Sequence, residues 1–154
     1  MGDLEGRIAE LGRRVERLED ELAIHRLIVS YGLGVDAGDA DRGAAVFTED
    51  GVYDVDVGLM EGRDAVRTMV NGRRHQEMVG HCAHQMGPAV VAFDGSDRAH
   101  ATGYSRVYLA TRAGTHVYRV STNRWELVKR GGAWLIARRT TRLLGHPEAL
   151  ALLR

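Results

Sequence analysis

The order of hydrophobic periods along the 154 residues predicts an α+β fold, with helices first and a mainly antiparallel, curved sheet after them. Two observations carry this. Apolar residues recur at helical spacing up to residue 35, and from residue 81 the period falls to two in four successive stretches separated by turn residues. A third removes the main competitor, because strands and helices do not alternate as a parallel βαβ sheet requires. No internal repeat or low-complexity segment breaks the chain, so residues 1–154 are expected to form a single domain.

Residues 4–35 read as one long helix. Leu4, Ile8, Leu11, Val15, Leu18 and Leu22 follow one another at alternating spacings of four and three, a heptad seam with charges between. Beyond residue 22 the stripe broadens to Ile24, Leu27, Ile28, Tyr31 and Val35, the pattern of a helix packed on its own core. Residues 1–22 are therefore expected to be a helical extension that meets another copy of the chain, making a homo-oligomer. "DAGD" at 36–39 closes the helix, with Gly38 suited to a left-handed cap. Asp41 is expected to cap a short helix through Phe47, followed by a strand over 51–58 and a helical stretch over 61–77. Strands then run through "HCAHQMGPAVVAF", "RAHATGYSRVYLATR", "THVYRVSTNRWELVKR" and "AWLIARRTTRLL". Turns fall at 94–97, 113–114 and 131–132.

Composition excludes several classes. No apolar run approaches the ~20 residues of a membrane span, and "MGDLEGRIAE" lacks the apolar stretch of a signal peptide. A single cysteine makes no internal disulfide, and a cytoplasmic location is expected. The 21 basic and 21 acidic residues balance overall, yet residues 98–154 hold eleven Arg and Lys against two acids. Those arginines alternate with apolar residues along strands, so they are expected to complement an acidic helical layer rather than bind nucleic acid.

The segment "GHCAHQMG" raises the chemistry. On a strand, His81 and His84 point to opposite faces, whereas Cys82, His84 and Met86 share one. Cys82 and His84 supply only two metal ligands, and no further cysteine spacing adds to them, so no metal is expected. The shared face is the more apolar, which turns His84 inward, either as a satisfied core residue or as a base. Asp36 ends a helix, where the dipole disfavours a carboxylate. It is either a solvated helix end or a group that lines a pocket mouth and pairs with a donor. Gly32 and Gly34 cost ~1 kcal/mol each in helix propensity and leave room beside that helix. Strict alternation places Leu135, Ala137, Arg139, Thr141 and Leu143 on one face of the last strand. Arg139 is then either buried and in need of a polar partner, or exposed at a strand end.

With these residues in view, "LEDELAIHRLIVSYGLGVDAGD", "GHCAH" and "WLIARR" resemble the SnoaL-like branch of the nuclear-transport-factor-2-like superfamily, to which bile-acid 7α-dehydratase, lindane dehydrochlorinase and scytalone dehydratase belong. The resemblance spans residues 15–144 or so. It implies a cone of curved sheet closed by helices, trimers or dimers, and cofactor-free chemistry on a small hydrophobic cyclic substrate. It puts the helix-end aspartate at Asp36, the strand histidine at His84, a tyrosine at Tyr31 and a late-strand arginine at Arg139. Cys82, Met86 and Tyr53 are expected in the pocket wall. The dehydrochlorinase's pocket lysine has no counterpart in "SYGLGVD". The expected reaction is a dehydratase-type elimination through an Asp–His pair. The alternatives are a ketosteroid-isomerase-like isomerase or polyketide cyclase, or a non-catalytic binding or assembly module.

Overall fold

The computed structural model describes residues 2–154, with side chains from Asp3 onward; Met1 of the expected extension lies outside the described residues. Helix α1 (Gly2–Asp36) is continuous through both parts of the apolar stripe. Residues 3–19 are all exposed, and burial begins in earnest at Ile24. Ile24, Ile28, Tyr31 and Val35 then enter the core, each fully buried apolar side chain contributing about 1.5–3 kcal/mol. The helix is pinned where it meets the sheet. Asp20 accepts hydrogen bonds from Lys129 Nζ (2.7 Å) and Trp134 Nε1 (2.8 Å), and the Arg17 guanidinium lies 4.5 Å over the Phe93 ring.

Gly38 closes α1 at φ +68°, the expected left-handed cap. Helix α2 (Ala40–Ala45) is capped by Asp39, not by Asp41 as its position suggested. The tight turn at Gly38 leaves Asp39 extended, so its carboxylate takes the Arg42 N–H at 2.9 Å; Asp41 instead pairs with Arg67 Nε at 2.6 Å. Phe47 does not end a helix either. It opens strand β1 (Phe47–Val55), which turns back into the short β2 (Gly58–Glu61). The helical stretch that follows divides into α3 (Arg63–Asn71) and α4 (Arg73–Gln76).

Four long strands complete the sheet: β3 (Cys82–Phe93), β4 (Arg98–Thr111), β5 (Gly114–Arg130) and β6 (Ala133–Leu143). Among the described residues the six strands form one curved, open sheet in the order β2-β1-β6-β5-β4-β3. All pairs are antiparallel except β1 with β6. The α+β reading and the mainly antiparallel sheet therefore hold.

Strict alternation along β6 does not hold. A register shift opposite Glu126 and Leu127 puts Trp134 and Ile136 on the same buried side as Arg139 and Thr141. Arg139 is inward, but Leu135 and Ala137 are not its face-mates. The basic second half is matched by acids, as expected, though mostly from the β1 region rather than from helices. Arg138 and Arg142 bind Asp54, Arg119 binds Asp56, and Lys129 reaches α1 at Asp20.

Candidate active site

The end of α1 and the start of β3 meet because Gly32 has no side chain. A Cβ there would lie 2.6 Å from the His84 carbonyl oxygen and 3.0 Å from Met86 Cγ, too close for either to stay. The room left by the two helix glycines is therefore filled by backbone, β3 at Gly32 and α2 at Gly34, and does not form part of a pocket.

This contact seats Asp36 against His84. The His84 backbone N–H donates to Asp36 Oδ2 at 2.6 Å, His84 Nδ1 lies 2.5 Å from Oδ1, and the Cys82 thiol donates to Oδ1 at 3.5 Å. Burial pushes the Asp36 carboxyl upward, but the His84 ring and backbone hydrogen bonds, the His84 charge and the Cys82 thiol outweigh it. The net value falls below the usual carboxylate range. Asp36 is thus ionised and only accepts, so Nδ1 of His84 carries the proton of this bond, and in the neutral form of the ring Nε2 holds the lone pair.

His84 lines a largely apolar cavity of about 190 Å³ together with Tyr31, Val35, Tyr53, Val55, Met60, Met69, His75, Met78 and Val107, with Arg74 and Arg119 also on its wall. Tyr31, Tyr53 and Phe47 pack ring against ring at about 6 Å. Burial pushes the Tyr31 phenol well above its ordinary value, and the neighbouring Tyr53 adds to this, so it stays a protonated donor.

Of the residues singled out in the sequence, Tyr31, Tyr53 and His84 reach the cavity wall. Asp36 does not line its mouth; it stands behind His84. Cys82 and Met86, expected in the wall, are turned elsewhere: the thiol faces Asp36, and Met86 lies against Gly32. Arg139 sits behind the tyrosines, 3% exposed. Its guanidinium carbon is 4.7 Å from the Tyr31 ring centre and 4.6 Å from that of Tyr53. Nε and Nη2 donate to Asn123 Oδ1, while Nη1 is buried without a partner among the described residues.

Asn123, buried within β5, was not legible as a hub, yet its amide also bonds Ser105 and accepts from Thr141. His75 was missed as well. Within the charged run "NGRRHQE" it looks like a solvated helix residue, but its Nε2 lies 2.7 Å from the Val35 carbonyl oxygen and its ring is 6.3 Å from that of His84. Asp36 also completes a group of three possible metal ligands with Cys82 and His84, their ligand atoms within 4.8 Å of one another, where the sequence offered two. A metal there would have to displace protons from a thiol whose value burial and the Asp36 charge push up to about 11.

The comparisons bear on the family and the fold. Residues 16–140 match the SnoaL-like domain family. A nuclear-transport-factor-2-like protein with a cystatin-like fold from Novosphingobium aromaticivorans is 36% identical, at a TM-score of 0.90, over 95% of this chain and 96% of its own. A provisionally assigned scytalone dehydratase from the same organism is 20% identical, at a TM-score of 0.73, over 84% of this chain and 87% of its own. A LinA-type3 hexachlorocyclohexane dehydrochlorinase from Novosphingobium barchaimii is also 20% identical, at a TM-score of 0.72, over 84% of this chain and 90% of its own. These last two show a likeness of fold. No curated protein matches the chain.

Proposed function

Since the chain belongs to the SnoaL-like domain family, we propose that it is a cofactor-independent lyase, removing water from a small hydrophobic cyclic substrate such as a steroid or polyketide-like ring. The observation that carries this is the Asp36–His84 pair, whose histidine lines a largely apolar cavity. His84 Nε2 takes a proton from carbon next to an electron-withdrawing group. Asp36 fixes the tautomer and stabilises the imidazolium that forms. The protonated Tyr31 phenol holds the substrate's carbonyl oxygen as negative charge develops there. Arg139 acts through Tyr31 and Tyr53, its cation behind both rings favouring that charge without touching the substrate. Such proton transfer needs no metal or organic cofactor. Incubation with hydroxylated steroids and polyketide-like ring compounds, followed by mass spectrometry, should return a product lighter by one water. An isomer of unchanged mass would point to the isomerase reading instead, and no turnover across the panel to a binding module.

The same reading includes self-association through α1. The six seam residues are 49–65% exposed, and Val29 and Leu33 continue the stripe along the side of the helix away from the core. Taking Ile8, Val15 and Leu22 as one seam position and Leu4, Leu11 and Leu18 as the other, parallel pairing sets Arg14 against Glu19 of a second copy. It also sets Glu21 against Arg26 of that copy, and no like charges oppose. The antiparallel register places Glu5 against Glu19 and Arg14 against itself, with only Arg7 against Glu21 to offset them. Parallel pairing of copies is therefore favoured, and light scattering should give a mass well above the 17.0 kDa of one chain.

A further inference from the structure

The geometry points to His75 as a second catalytic residue, the proton donor to the departing oxygen; this rests on the lyase reading and names a role that reading leaves open. A carbonyl oxygen only accepts, so the contact with Val35 requires that Nε2 of His75 carry a proton. Nδ1 is then its free ring nitrogen, without a hydrogen-bond partner among the described residues, on a side chain that lines the cavity beside His84.

Both rings are held by consecutive residues at the end of α1, His75 by the Val35 carbonyl and His84 by the Asp36 carboxylate, but through opposite nitrogens. The two imidazoles are thereby set in complementary roles. His84 presents a lone pair at Nε2. His75, with its Nε2–H given to a last-turn carbonyl of α1, has Nδ1 as the nitrogen that, when protonated, can give a proton. In the step itself, His84 Nε2 takes the proton from the carbon beside the carbonyl, and that C–H electron pair becomes the new C=C bond. The C–O bond to the leaving hydroxyl breaks with its pair on oxygen, which takes the His75 proton and departs as water. His84 ends protonated and His75 neutral, and proton exchange through solvent restores the start.

The test compares leaving groups. A fused bicyclic β-hydroxyketone needs its oxygen protonated, whereas the acetate of the matching β-acetoxyketone leaves as a stable anion. His75→Gln keeps an amide N–H for the Val35 carbonyl but removes the transferable proton. It should lower turnover of the hydroxyketone by ~100-fold or more and barely change that of the acetoxyketone, while His84→Ala lowers both. Long-range proton–nitrogen NMR spectra of the free protein should show the neutral His75 ring protonated at Nε2 and that of His84 at Nδ1. Equal losses on both probes in His75→Gln, no loss on the hydroxyketone, or the opposite His75 tautomer would overturn the role of His75 alone. A wild type inert toward both probes takes down the lyase reading and this proposal with it.

Discussion

Asp36 and His84 act as one unit on the proposed reading, so their losses should not add. His84→Ala should abolish turnover. Asp36→Asn should lower it by orders of magnitude, because the amide no longer stabilises the imidazolium, and the double variant should be little worse than His84→Ala. Steady-state kinetics on variants shown to be folded by thermal melts checks this; multiplicative losses would mean two independent residues. Cys82 offers a second measurement at this scale. Burial and the Asp36 charge hold its thiol up to about 11, so alkylation at about pH 8 should be slow in the folded chain and faster in Asp36→Asn. Equal rates would show that the carboxylate does not govern the thiol. The period-two phase of "CAHQM" was enough to turn His84 inward, and the awkward helix-end position of Asp36 was enough to single it out. His75 was hidden because its partner is a backbone carbonyl forty residues away, which side-chain pattern does not encode.

At the scale of elements, Gly32 decides whether the pair forms at all. Gly32→Ala should push β3 away from α1, costing ~1–3 kcal/mol of stability and breaking the Asp36–His84 contact. A melting curve and the His84 ring NMR signals read the two effects separately. The exposed seam gives the complementary case, because its residues lie outside the chain's own core. Leu11→Glu with Leu18→Glu should leave the fold intact by circular dichroism and reduce the mass to one chain. Leu4→Cys in a Cys82→Ser background should cross-link copies if they pair in parallel, and should not if they run antiparallel. Helices and long strands were readable because each repeats its period over many residues. The β1–β6 parallel pairing and the shifts in β3 and β6 were not, since one extra residue in a strand leaves no mark in a binary pattern.

For the molecule as a whole, acid should be the destabilising direction. Asp20, Asp36, Asp54 and Asp56 all lie below their ordinary carboxylate value when folded. For Asp54 the Arg142 hydrogen bond leads; for the other three, burial works upward and their donors overcome it. A lowered folded value means stability that is complete above the unfolded value of about 4 and is lost as pH falls through the folded values. Melting temperature followed against pH should therefore fall steeply below about pH 4, and a flat profile there would refute the charge pairs. Because one uninterrupted helix carries both the seam and Asp36, it also behaves as a vernier. Each residue inserted near position 23 would turn the seam by about 100° and slide it ~1.5 Å relative to the cavity, leaving both surfaces chemically unchanged. In the proposed assembly through this seam, the angle between neighbouring cavities would thus be a dial set by helix length, with a seven-residue insertion nearly restoring the original setting and a three- or four-residue one landing either side of it.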